Sequence, residues 1–128
     1  MALNKTRPES EVQTSVLETL KMLGIAHWRV NSGAFAGFGK GGKRRPVRCV
    51  GIAGHSDIHA LLTTERVKNG KRVREGISVF IECKRDGEKQ TDDQIEFERI
   101  VTGACAAYWV VHSAEDLLEK LRGAGYPC

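Results

Sequence analysis

A mixed α/β domain, with a central sheet flanked by helices, is the fold class this sequence predicts. Three observations predict it. Residues 77–83 and 106–112 are short apolar runs rich in β-branched and aromatic side chains, as buried strands are. Residues 9–23 carry apolar side chains at helical spacing, and so does the segment leading to Arg122. Glycine-containing turns separate the two kinds of segment and make them alternate along the chain.

In order, residues 9–23 place Val12, Val16, Leu17, Leu20 and Leu23 on one side of a helix that Gly24 stops. Residues 26–31 alternate around Trp28 and Val30 and read as a short strand. A glycine-rich basic arm follows at about 34–48, where the glycines favour flexibility over a rigid face, and 47–52 reads as a further extended piece. Residues 56–63 form a strand whose first residues are polar. Asn69-Gly70 is a strong signal for a turn between antiparallel strands, but the flanks 65–68 and 71–75 are too charged for a sheet centre and predict a protruding ribbon. Residues 77–83 are the most strand-like in the chain and predict the central strand. Asp86-Gly87 turns the chain into a helix over 91–102, with Ile95, Phe97, Ile100 and Val101 as its apolar side and Gly103 as its end. After the strand 106–112, Ser113 is the expected N-cap with Asp116 as its capping-box partner, and the last helix turns Leu117, Leu118 and Leu121 inward.

The 128 residues fit one domain, 1–128, around one core. A hydrophobic fraction of 41% with 28% charged residues excludes disordered and membrane-spanning compositions, and no apolar run is long enough to cross a bilayer. Residues 1–8 lack the apolar core of a secretory signal, so a cytoplasmic protein is expected, in the host cell interior if its source is viral. Cys49, Cys83, Cys105 and Cys128 include no Cys-x-x-Cys pair, which argues against structural zinc and for free thiols in or near the core. The net charge is +4, and Lys40, Lys43, Arg44, Arg45 and Arg48 stand in one acid-free stretch. That stretch is either a solvated loop or a contact for a polyanion.

The chemistry-bearing residues are Asp57, at the opening of one strand, and Glu82 and Lys84, at the end of another. Glu82 and Lys84 are two apart in a strand and share a face. Phosphodiester hydrolysis needs charge on the phosphate neutralised, a nucleophile made from water and a leaving oxyanion stabilised. Carboxylates holding a magnesium-like ion serve the first two, and a lysine alongside can reach the water or the phosphate. Taken singly, Asp57 also fits a turn or cap, and Glu82 with Lys84 also fits an exposed strand-end pair. His55 and His59 raise a transition-metal alternative, for which the histidines are too sparse.

Glu11-Val-Gln13, Asn31-Ser-Gly33, Gly54-His-Ser-Asp57-Ile, Ile81-Glu-Cys-Lys84, and Gln90 with Gln94 occur in this order over nearly the whole chain, and Tyr108–His112 resembles the strand that normally follows. In that order and spacing the chain resembles the VRR-NUC family, the virus-type replication and repair nucleases of the PD-(D/E)xK superfamily. The resemblance implies a restriction-endonuclease-like fold, with Asp57, Glu82 and the Cys83 carbonyl binding Mg2+ or Mn2+ and Lys84 as the catalytic lysine. It further implies Glu11 as a helix-borne acid near the ion, with Glu9 as its rival. Gln94 resembles the glutamine that lies beside the lysine and orients water or DNA, while Asn31 and Ser32 resemble residues that touch the phosphate. The family commonly has proline before the motif aspartate; here Ser56 stands there, a change in loop stiffness more than in chemistry.

Stand-alone members of this kind resemble homodimers that place two sites on the opposing strands of branched DNA. The expectation is therefore a structure-specific endodeoxyribonuclease, a four-way (Holliday) junction resolvase acting as a homodimer. Alternatives are a flap-type or nonspecific DNA nuclease and a non-catalytic DNA-binding accessory protein. Lys40, Lys43, Arg44, Arg45 and Arg48 of the arm, together with the ribbon from Lys68 to Arg74, would hold branched or double-stranded DNA by its backbone, without base reading. Neither an organic cofactor nor a membrane partner is expected.

Overall fold

A computed structural model of the chain describes residues 8–30, 34–38, 44–48 and 54–126. Three helices, α1 (Glu9–Met22), α2 (Asp92–Gly103) and α3 (Ala114–Gly123), accompany six strands: β1 (Ala26–Arg29), β2 (Ala34–Phe38), β3 (Arg44–Arg48), β4 (Ile58–Lys68), β5 (Lys71–Cys83) and β6 (Ala107–Val111). Four strands form a mixed sheet in the order β1-β4-β5-β6, antiparallel except for the β5–β6 pair, which is parallel and joined through α2. The fold is α/β as expected, and compatible with the restriction-endonuclease-like fold.

Strand alternation assigns the two faces. Ile58, Ala60 and Leu62 on β4 and Val79, Ile81 and Cys83 on β5 point to one side. There they pack with Val12, Val16 and Leu20 of α1 and Leu117 and Leu121 of α3 in one buried cluster. Phe80 and Tyr108 point to the other side and meet Phe97 and Val101 of α2. Ile95 and Ile100, expected on the apolar side of α2, are 51% and 38% exposed, because the helix spends its buried stripe on Phe97 and Val101, four residues apart. Trp28 and Leu61 on the same sheet side are 45% and 43% exposed, so the apolar cover from α2 is confined to the β5–β6 half.

The ends of the helices follow local chemistry. Gly24 (φ +70) takes the left-handed conformation just after α1. Thr91 caps α2 in a reciprocal capping box with Gln94, which the sequence reading did not anticipate. Ser113 caps α3 as expected, accepting from the Asp116 N–H at 3.0 Å. The Asp116 carboxylate, however, accepts from the backbone N–H of His112 at 3.0 Å and so spans one residue more than a capping box.

β4 and β5 pair without a break from Ile58↔Ile81 to Lys68↔Lys71, around an Asn69-Gly70 turn with φ +53 and +76. Past the reach of β1 and β6 they continue as a two-stranded ribbon, as the charged flanks predicted. In the stretch read as a glycine-rich arm, β2 and β3 pair antiparallel from Ala34↔Arg48 to Phe38↔Arg44. Asn31, Ser32, Lys40, Lys43, Cys49 and Cys128 lie outside the described residues. Cys83 is buried and free, whereas Cys105, expected near the core, is exposed in the turn after α2. Among the described residues no helix is long and apolar enough to cross a membrane.

Candidate active site

The end of the sheet at which β4 begins and β5 finishes gathers the acidic groups. Register does this: Ile58 pairs with Ile81, so the next step outward sets Asp57 opposite Glu82. Asp57 is held by its own carboxylate, whose Oδ2 accepts the Cys83 backbone N–H at 2.9 Å. The loop that delivers it is locked at two further points. Ser56 is fully buried, its Oγ donating to the Ile58 carbonyl at 3.1 Å, in place of a ring that would have stiffened the backbone. Gly54 (φ +77) lies against the start of α2 so closely that a Cβ there would stand 2.2 Å from the Asp93 carbonyl oxygen. The same contact seats the first turn of α2, which carries Gln94.

Glu82 is 1% exposed. Its Oε2 accepts from the Gln94 amide at 3.1 Å, while its Oε1 is buried with no hydrogen-bond partner. An orphaned buried carboxylate oxygen costs on the order of 1–3 kcal/mol, more when charged, so this atom needs a proton or a cation. Burial, then the Asp57 charge, pushes the Glu82 carboxyl up to about 9, against the opposing pull of Lys84. One carboxylate oxygen from each of Glu9, Asp57 and Glu82 lies within 4.8 Å of the others. Oxygens so spaced fit a shared hard divalent ion, with ligand distances of roughly 2.0–2.6 Å. The residues present therefore fit a hard divalent cation. Burial, then the Glu88 and Asp57 charges, also raises Glu9, again against the pull of Lys84.

Lys84 is 3% exposed and directly follows the same strand, its backbone N–H donating to the Val111 carbonyl at 3.0 Å. Its Nζ stands 3.6 Å from Glu88 Oε2. Glu88 Oε1 in turn accepts the Arg85 backbone N–H at 3.2 Å, which closes the turn through Gly87 (φ +81). Glu88 is thus a member of the site that the sequence reading missed. The available signal was its place four residues after Lys84, but no helix links them, and only the tight turn makes that spacing a contact.

Of the helix-borne acids the structure brings in Glu9 and not Glu11, which corrects the expectation. Glu9 precedes Val12 and Val16 by three and seven residues and shares their inward face. Glu11 is rotated onto the outer face, exposed, along a shallow groove with Ser10, Thr14 and Ser15. Gln94 reaches Glu82 as a buttress. Gln90 faces elsewhere, its amide donating to Glu98 at 3.1 Å and Tyr108 at 3.4 Å. Cys83 contributes its N–H to Asp57, and its side chain is in the core. Arg44, Arg45 and Arg48 fall in β3.

The histidines serve an aromatic cluster. His59 stacks on Phe80 at 4.3 Å between ring centroids and His55 lies 4.4 Å from Phe97. Burial, then the neighbouring His55, lowers the His59 pKa. Neither histidine joins the acidic group that could share an ion among the described residues.

No protein-family model matches the chain, and no curated protein or solved structure matches it significantly.

Proposed function

We propose that this chain is an Mg2+- or Mn2+-dependent endodeoxyribonuclease, working in the manner of the VRR-NUC nucleases it resembles. The observation that carries the reading is the buried, half-satisfied Glu82 beside Asp57 and Glu9, with Lys84 on the same strand end. A purely structural cluster gains nothing from three carboxylates at this spacing, since like charges cost stability unless a cation offsets them. Asp57, Glu82 and Glu9 would hold the ion, with the Cys83 carbonyl as a further oxygen. A bound divalent ion supplies Lewis acidity toward a phosphate oxygen and acidifies water at neutral pH.

The chain's own groups divide the remaining work. Gln94 fixes the Glu82 carboxylate through one oxygen, and the other, which has no hydrogen-bond partner, would be the one to take the ion. Lys84, whose stem is buried, presents a cation with little conformational freedom to the phosphate or the attacking water. Glu88 holds Lys84 until a phosphate competes for it. For the assembly we propose a homodimer acting on branched DNA, since paired cuts in opposing strands need two sites related by a two-fold axis.

The test is metal-dependent cleavage of labelled four-way junction, flap, splayed-arm, duplex and single-stranded DNA by wild type, Asp57→Ala and Lys84→Ala. Paired cuts across the junction, abolished by either substitution, support the resolvase. Cutting confined to flaps or single strands keeps the site and replaces the substrate. No metal-dependent cutting of any substrate, with wild type indistinguishable from the variants, overturns the nuclease reading.

A further inference from the structure

The β4–β5 ribbon divides its charges unevenly. Midway along it, Arg66 is paired with Glu75 at 2.7 Å and Arg74 with Glu65 at 3.7 Å. At its tip, Lys68, Lys71 and Arg72 surround the Asn69-Gly70 turn, and among the described residues no acid pairs with them. Lys68 and Lys71 are directly opposite each other in the ladder, an arrangement of like charges that destabilises a strand pair. Arg72, opposite Val67, projects from the other face, so the tip presents cations on both sides. Charge of either sign would keep an exposed ribbon from pairing with another chain. A tip of one sign, held by a tight turn and left unpaired while the middle of the ribbon is neutralised, is suited to a polyanion with walls on both sides.

Distance sets the rest. From Asp57 to Lys68 the chain climbs the 11 residues of β4, a rise of about 36 Å before twist shortens it. One turn of B-form DNA is about 34–36 Å. We infer that the ribbon tip grips the phosphate backbone of a duplex DNA arm about one helical turn from the phosphate at the Asp57–Glu82 site, through Lys68, Lys71 and Arg72. This rests on the nuclease reading for the substrate class and adds where and how far away the duplex is held. Two copies meeting tip to tip would oppose six cations, which disfavours this end as an interface with a second copy.

The test compares wild type with Lys68→Ala/Lys71→Ala/Arg72→Ala in fluorescence anisotropy without metal. The probes are DNAs whose duplex arm extends roughly 6 or 16 base pairs beyond the cleavage position. Three backbone contacts contribute about 2.7 to the slope of log affinity against log salt. Between about 50 and 200 mM salt, wild type on the long arm is therefore expected to lose roughly 40-fold more affinity than the variant. On the short arm the two proteins should bind alike and, with Mg2+, cleave alike. Equal salt slopes and equal arm-length dependence, with wild type still cleaving, overturn the tip contact alone and leave a merely solubilising ribbon. A change in sedimentation of the variant without a change in slope overturns it in favour of a second copy. Arm-length and salt effects that persist in a wild type unable to hydrolyse any DNA support the tip and overturn the nuclease. No binding by wild type to either arm overturns the tip contact, and the absence of cutting with Mg2+ as well overturns the nuclease too.

Discussion

Glu82→Gln is the substitution on which the electrostatics of the site bear most directly. A carboxyl raised from 4.5 to about 9 in the folded protein contributes stability that is fully present below about pH 4.5 and lost as pH rises through about 9. Each pH unit inside that window costs about 1.4 kcal/mol, so two units from about pH 5 to pH 7 cost about 3 kcal/mol. In a chain of 128 residues that moves the thermal midpoint by about 10 °C. Glutamine keeps the shape without the charge, so in EDTA the variant should hold its midpoint across that range while wild type loses about 10 °C relative to it. Mg2+ displaces the proton, so wild type should regain stability on adding it, with an apparent affinity that rises about tenfold per pH unit up to about pH 9. The variant should regain little. The assay is calorimetric or spectroscopic melting of both proteins with EDTA and with excess Mg2+. Superimposable pH profiles in EDTA would refute the argument that burial and the Asp57 charge outweigh the pull of Lys84 on Glu82.

Three further outcomes follow from the same geometry. Glu9→Gln should weaken Mg2+ binding by roughly tenfold in isothermal titration, and Glu11→Gln should leave it unchanged; equal effects would contradict the inward face assigned to Glu9. Lys84→Met, which keeps the buried stem, should lower kcat by about 10²–10⁴ with little change in metal-free DNA affinity, and a loss confined to affinity would make Lys84 a binding residue only. Gly54→Ala forces a side chain into the left-handed region and into the Asp93 carbonyl, so a loss of about 2–5 kcal/mol is expected in denaturant unfolding; a change below about 0.5 kcal/mol would mean that the loop and α2 are not in contact.

Much of this protein is written locally. The periodicity of Val12, Val16 and Leu20, the β-branched run ending at Cys83 and the Asn69-Gly70 turn each specify their element through forces acting over a few residues, and the structure has those elements where they were expected. Residue chemistry likewise picked out Asp57, Glu82 and Lys84 before any fold was known. What local pattern could not supply is which groups meet. Asp57 and Glu82 are 25 residues apart, and only the β4–β5 register makes them neighbours. Glu9 displaces Glu11 because the rotation of α1 is set by its packing on the sheet, where the inward face, and not the choice of acid, is decided by burying Val12 and Val16. Glu88 joins through a turn, and Gln94 meets Glu82 only because the start of α2, packed against Gly54, is brought to the end of β5. The sequence by itself determined the elements and the reactive residue types, since these depend on neighbours in the chain. Tertiary structure alone decided the pairing, burial and unmet charge of the site, since these depend on distances between segments that no local pattern encodes.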